Sequence, residues 1–271
     1  MNFGPCPPQM TPSSKHHGSS RAPDPAFQLE AELCRVLATG VRGALKVSDG
    51  APLLSELQVG QVIPDMLLVL ADTARLKCKV ELSGFESWIV AELLGGRSRR
   101  PETLAARLYA RPEQTVKALD RLERRGAVYR STSTTFMLRE GWFPRQSEVV
   151  AVEAKLARWR DAIEQAKAYL RFANRAYVAL PAETINRAGG ILDACRLRGI
   201  GLLSVSHHGV NIVKKAPLHR TSSPGWVWVV GRVLSDAGLR ATQRLRAQGR
   251  SAKHADVQAL FGHENRPTTI S

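Results

Sequence analysis

No apolar run in the 271 residues approaches the roughly 18 consecutive positions of a membrane span, so no membrane-spanning helix and no membrane partner are expected. Residues 1–25 are rich in Pro, Ser, Gly and His and have no apolar h-region, which excludes an ordinary secretory signal; they read as a disordered leader. Cysteine is sparse. Cys6, Cys34, Cys78 and Cys195 are scattered, with none in metal-ligand spacing, which excludes a zinc ribbon or finger. Scattered thiols without a secretion signal fit a reducing, cytoplasmic setting. Acidic residues are outnumbered, with 24 Asp and Glu against 39 Lys and Arg and a net charge of +15. That balance favours a polyanionic partner, above all nucleic acid. The competing reading is an arginine-rich composition with no specific partner. No aromatic strand of the kind that stacks RNA bases is present, so DNA is favoured over RNA.

What the chain does contain is enough apolar residue, 44%, to build one large domain or two small ones. Phe27–Thr39 reads as a helix, with Phe27, Glu30, Leu33, Cys34 and Leu37 on one face and Asp24-Pro25 as its start. Glu30 is the lone charge on that stripe and is expected at its edge. Pro52–Val59 and Val62–Leu70 read as a hairpin around Gly60-Gln61. Pro64 cannot donate to a ladder. Asp65 follows it and heads an apolar strand, where an acid is costly to bury unless it binds something.

Between about 81 and 145 the pattern changes. Helices are expected at Phe85–Leu94, Pro101–Leu108 and Pro112–Arg125, then strands at Ala127–Arg130 and Thr135–Arg139. Val116, Leu119, Leu122 and Glu123 are placed near the third helix's inner face. This succession, with Thr103–Leu108 and Thr115–Val128, resembles the winged helix-turn-helix family. The resemblance implies binding of double-stranded DNA through the third helix, with Arg111, Gln114, Thr115, Lys117, Arg121, Arg124 and Arg125 as candidate contacts. A protein-interaction or structural role is the alternative.

Val149–Lys155 is an apolar strand that ends in Glu153 and Lys155. Period-2 alternation puts Val150, Val152 and Ala154 on one face and Val149, Ala151, Glu153 and Lys155 on the other. Either this is a surface strand end with an ion pair, or the carboxylate holds a divalent cation beside an activating lysine. A helix over Trp159–Asn174 follows, carrying Gln165 and Tyr169 four apart. Then come a strand at Ala176–Leu180, a helix at Thr184–Arg198 and a last strand at Ile200–Val205. His207-His208 reads as a turn. The basic tail from Lys214 holds two or three helices, one starting at Ser223-Pro224 and another capped by Ser251, and either covers the sheet or clamps nucleic acid.

With the 81–145 segment lifted out, the order is helix, three strands, helix, strand, helix, strand. Its polar residues are Glu30, Pro64-Asp65, Glu153-Ala-Lys155, Gln165 and Tyr169. This order and motif set resemble the PD-(D/E)xK nuclease superfamily. The resemblance implies an α/β fold: a restriction-endonuclease-like mixed sheet flanked by helices, discontinuous over 26–80 and 146–213. The insert at 81–145 interrupts it, and a helical extension at 214–271 follows. It further implies a metal-dependent deoxyribonuclease. Asp65, Glu153 and the carbonyl of Ala154 would hold Mg²⁺ or Mn²⁺, hard oxygen donors suiting hard cations. Lys155 would orient or deprotonate water, Gln165 and Tyr169 would line the site, and Glu30 would be an outer ligand. Asp72 competes with Asp65 as the first acid. A non-catalytic DNA-binding regulator on the same fold is the alternative, and a homodimer is compatible with the sequence.

Overall fold

The computed structural model describes residues 26–71 and 81–235. Asp24-Pro25, Asp72, Cys6, Cys78 and Ser251 lie outside them. The described residues form an α/β fold: a mixed six-stranded sheet flanked by helices, with a separate two-stranded sheet and eight helices in all. None of those helices is long and apolar enough to cross a membrane.

The first helix, α1, spans Glu30–Ala44 and buries Leu33, Leu37 and Val41. It starts three residues later and ends five residues later than the sequence pattern suggests. Its acidic first turn explains the start. Glu30 and Glu32 favour a helix N-terminus, and the Glu32 carboxylate accepts from the backbone N–H of Gln28 at 3.1 Å and of Leu29 at 3.4 Å. Strands β1 (Leu53–Ser55) and β2 (Met66–Leu70) pair antiparallel. The expected hairpin is present but shorter. Val59 and Val62 make a bridge around the turn, and Gly60 adopts φ +63°, a conformation that a side chain disfavours. Pro64 and Asp65 stand outside the ladder.

From β2 the chain enters α2 (Gly84–Leu93), α3 (Pro101–Arg107), α4 (Pro112–Arg124) and the two-stranded sheet β3 (Val128–Arg130) and β4 (Phe136–Leu138). It returns in β5 (Glu148–Ala154), which pairs antiparallel with β2: Met66 faces Val152 and Leu70 faces Glu148. Next come α5 (Trp159–Tyr169), β6 (Arg175–Pro181), α6 (Ala182–Arg187), α7 (Ile191–Arg198), β7 (Gly201–Ser206), β8 (Gly209–Lys214) and α8 (Pro224–Leu234). The sheet order is β1-β2-β5-β6-β7-β8, with β5, β6 and β7 parallel and β8 antiparallel to β7.

Three expectations change here. The long helix over 159–174 ends at Tyr169, and the one over 184–198 is two helices, broken at Gly189-Gly190, where Gly190 has φ +77°. A sixth strand, β8, follows the His207-His208 turn. Ser223 caps α8 as expected, accepting from the N–H of Trp226 at 3.2 Å.

The alternation read along β5 is what divides the core. Val150, Val152 and Ala154 pack with Leu33, Leu37, Leu68 and Tyr177 on the α1 side. Val149 and Ala151 pack on the other side with α5, α8 and the apolar residues of the insert. Asn174 ties the second face together. Its side-chain oxygen accepts from Val149 N–H and Trp226 Nε1, at 2.8 and 2.9 Å, and its amide donates to His219 O at 2.9 Å. A buried amide with its donors and acceptors filled is a stabilising one.

Candidate active site

The last pair of the β2–β5 register is Met66–Val152, and Asp65 and Glu153 are the next residues along the chain on either side of it. The carboxylate of Asp65 accepts from Ala154 N–H at 2.7 Å, closing the ladder where Pro64 prevents a further backbone pair. Two acids from strands separated by the whole insert thus meet at one sheet end.

Glu153 is only 3% exposed. One of its oxygens lies 2.9 Å from Lys155 Nζ, and the other accepts from the Tyr169 hydroxyl. Tyr169 is the last residue of α5, buried, with its ring near that of Phe172. Lys155 Nζ also donates to the carbonyl of Ala154 at 3.2 Å and lies 3.6 Å from the half-exposed Glu30 carboxylate on α1. Lys155 stands just beyond β5, where it joins the α1 and α5 sides.

Burial pushes Asp65 above the usual carboxylate range, against the opposing pull of Ala154 N–H and Lys155. Burial likewise raises Glu153 although Tyr169 and Lys155 both favour its charged form, and Asp65 adds to the rise. Burial alone would lower Lys155, but the carboxylates of Glu153, Asp65 and Glu30 outweigh it, so its pKa rises. Burial and the Glu153 carboxylate raise Tyr169, which keeps its proton. The apolar stripe of α1 adds a further neighbour of the site. Cys34, one turn after Glu30 on α1, is pushed up to about 12 by burial and by the carboxylates of Asp65 and Glu30. Its place on the Glu30 stripe was legible in the sequence.

These groups fit a hard divalent cation. One lysine stands among buried carboxylates that are still short of positive charge, and the donors are oxygens throughout. Among the described residues no group of three or more His, Cys, Asp or Glu side chains is arranged to hold a metal ion. A cation here would therefore rest on Asp65, Glu153 and the Ala154 carbonyl, with water completing its shell. Gln165 does not join them. It is exposed on α5 and makes no hydrogen bond to Glu153, Lys155 or Tyr169. It sits one helical turn before Tyr169, where the same face has risen out of the core.

In the insert, Arg111, Gln114, Lys117, Arg121, Arg124 and Arg125 are exposed, and Arg111, Gln114, Lys117 and Arg121 line one depression of about 500 Å³. Thr115 is a correction: it is fully buried, its hydroxyl donates to Arg111 O at 3.2 Å, and it cannot touch DNA. Val116, expected inside, is 40% exposed. The α4 inner face is thus rotated from the one expected, with Thr115 and Ala118 inside beside Leu119 and Leu122. Arg121 and Arg125 are also held: both pair with the buried carboxylate of Glu86 on α2, at 3.0 and 2.7 Å. Ser83 N–H and these two arginines overcome its burial and hold Glu86 down at about 2.

A scan against protein-family models finds no match, and neither does a search of curated proteins. Among solved structures, a protein of unknown function from Silicibacter pomeroyi matches at 14% identity with a TM-score of 0.33, covering 90% of this chain and 99% of that one.

Proposed function

We propose that the chain is a metal-dependent nuclease of the PD-(D/E)xK kind, hydrolysing DNA phosphodiester bonds at Asp65, Glu153 and Lys155. One observation carries the reading: Asp65 and Glu153, far apart in sequence, meet at one end of the paired strands β2 and β5, with Lys155 and the Ala154 carbonyl beside them. The element order α1-β1-β2-β5-α5-β6 supports the restriction-endonuclease-like topology.

Asp65, Glu153 and the Ala154 carbonyl would hold Mg²⁺ or Mn²⁺. Such a cation, when bound, supplies charge neutralisation at phosphorus and activation of water. Tyr169 fixes the Glu153 carboxylate by donating to one oxygen, which leaves the other toward Lys155. Lys155, its pKa raised by the surrounding carboxylates, is an ammonium at neutral pH. At 2.9 Å from Glu153 it would orient the attacking water and stabilise negative charge at the phosphate. The insert is read as a winged helix. The exposed residues Arg111, Gln114 and Lys117 of α4 would meet the duplex, and Arg124 would add a phosphate contact.

Incubation of the full chain with supercoiled and linear DNA, with and without Mg²⁺ or Mn²⁺, tests the proposal. Cleavage is expected only with metal and should be lost in Lys155→Ala and Asp65→Ala while DNA binding survives. Undiminished cleavage by either variant would refute the active-site assignment, and binding without cleavage in the unaltered protein would favour a DNA-binding regulator.

A further inference from the structure

A second site lies where the core, the insert and the C-terminal helix meet. A pocket of about 590 Å³ opens there, walled by Gln58 and Gly60 of the β1–β2 connection, Trp88 of α2, and Gly225, Trp228 and Arg232 of α8. Its volume falls within the range of about 300–1,000 Å³ typical of pockets for nucleotide-sized ligands. Trp88 is 53% exposed, an unusual position for the largest apolar side chain, and Trp228 is partly buried against the core. A Cβ on Gly60 would meet nothing within 4 Å, so that wall is open, whereas one on Gly225 would lie 3.0 Å from Phe172 Cβ.

The pocket has a basic rim. Arg232 is 3.9 Å from the Glu81 carboxylate, an exposed and loose pair, and Arg125 donates to the Glu81 carbonyl at 2.5 Å. Arg232 is the guanidinium on the pocket wall, while Arg125 is held by Glu86 and the Glu81 carbonyl.

The pocket and the candidate active site have different lining residues and are linked through two segments. The pocket's β1–β2 wall runs on to Asp65. Phe172 behind Gly225 is the ring neighbour of Tyr169, which holds Glu153.

We infer that this pocket binds unpaired bases of single-stranded DNA, stacked on Trp88 and Trp228, with Arg232 taking a flanking phosphate. Aromatic faces joined to positive charge are what single-strand binding requires, because every base has a π-face and every linkage a charge. Arg232 on the pocket wall and the chain's net charge of +15 favour a polyanion over a peptide as the occupant. The choice of DNA as the polymer rests on the nuclease reading; the stacking itself does not.

The test uses the full chain in EDTA, so that binding is read apart from cleavage. Fluorescence anisotropy with a 16-nucleotide oligo(dT) and with a blunt duplex of equal length compares wild type, Trp88→Ala, Trp88→Phe and Arg232→Glu. Trp88→Ala should weaken oligo(dT) binding about tenfold, the loss of one stacked base. Trp88→Phe should stay within about twofold of wild type, Arg232→Glu should weaken oligo(dT), and duplex affinity should be unchanged by the Trp88 substitutions. Oligo(dT) should also quench tryptophan emission less in Trp88→Phe than in wild type. Unchanged oligo(dT) affinity in Trp88→Ala overturns the inference, as does an equal loss for duplex, or quenching that does not depend on Trp88, which would leave an apolar peptide as the occupant. A protein that binds single strands through Trp88 yet never cuts DNA would keep this inference and lose the nuclease reading.

Discussion

Replacing Lys155 by Met removes the one ammonium among the carboxylates and keeps most of its stem volume. At the observed 2.9 Å to Glu153, two unit charges at an effective dielectric of about 20 interact by about 6 kcal/mol. Part of that is offset by the cost of burying the ammonium, which the substitution relieves. Breaking a buried pair from one side typically costs about 3–5 kcal/mol. Lys155 keeps some exposure, its side chain being 13% accessible, so a loss of roughly 2–4 kcal/mol is expected at pH 7.5. For a domain of this size, that lowers Tm by about 5–15 °C.

The pH dependence carries a definite sign. Asp65 and Glu153 both have folded pKa values raised above 3.8 and 4.5. Their contribution to stability is complete below those unfolded values and is lost as pH rises through the raised ones. Lys155→Met raises both further, so its deficit should be largest at pH 7.5–8 and shrink toward pH 5. Lys155 itself titrates above 10.5 and contributes no slope in that window. Thermal unfolding followed by circular dichroism, at both pH values and with and without Mg²⁺, measures this. Mg²⁺ should narrow the gap at pH 7.5, since a cation held by Asp65 and Glu153 replaces the missing charge. A deficit below about 1 kcal/mol that ignores both pH and Mg²⁺ is the behaviour of a solvated surface pair, and would refute the reasoning.

Three further outcomes are expected. Tyr169→Phe removes a donor to the Glu153 carboxylate, so it should cost roughly 1.5–3 kcal/mol at neutral pH; by raising Glu153 further, it should also shift the acid limb of any cleavage profile upward, and an unmoved limb would count against Glu153 as a working carboxylate. Glu86→Gln should cost roughly 2–3 kcal/mol above pH 4.5, because a folded value of about 2 against 4.5 contributes stability there that is lost as pH falls toward 2; urea unfolding at pH 7 and pH 3 should show the deficit shrinking. Gly201→Ala would place a methyl 2.3 Å from the Tyr177 ring and 2.8 Å from the Ala216 backbone nitrogen, and by overpacking it should destabilise the chain by about 1–3 kcal/mol in the same assay.

Residues whose burial follows a strict period were readable from sequence. The alternation along β5 shows which side chains meet α1 and which meet α5, since a period of two leaves no freedom once one face is assigned. The helices of the insert were bounded by punctuation: Pro101 and Pro112 in first turns and Gly126 at φ +71° after the last. Strand β8 was missed because it is a half-exposed edge strand whose apolar face is only Val210 and Ile212. The α4 face was misjudged because Thr115 satisfies its hydroxyl on Arg111 O and can be buried, while Val116 is left outside. Glu86 carries a local signature, the Ser83-x-x-Glu86 capping box, but nothing nearby in sequence announces its burial. A buried acid is affordable only beside its cations, and Arg121 and Arg125 lie 35 and 39 positions away.

The same dependence on long-range pairing explains how two acids so far apart in the chain can form one site. The chain leaves the sheet after Leu70 and re-enters at Glu148, and these two residues face each other across the ladder. A folded insert whose ends fall on adjacent strands closes its loop at an entropic cost that grows only logarithmically with length. The register is then set by the apolar pairs Met66–Val152, Leu67–Ala151 and Leu68–Val150, because a slip by one would turn Val150 and Val152 to the wrong core. Asp65 and Glu153 are carried to one sheet end by residues that have no polar role. The two acids lower stability at neutral pH, as their raised pKa values require, and the large apolar ladder behind them is what makes that placement sustainable. From the far end of that ladder the insert folds back, with α2 packed along α8, so that Trp88 comes to lie beside the connection that carries Asp65.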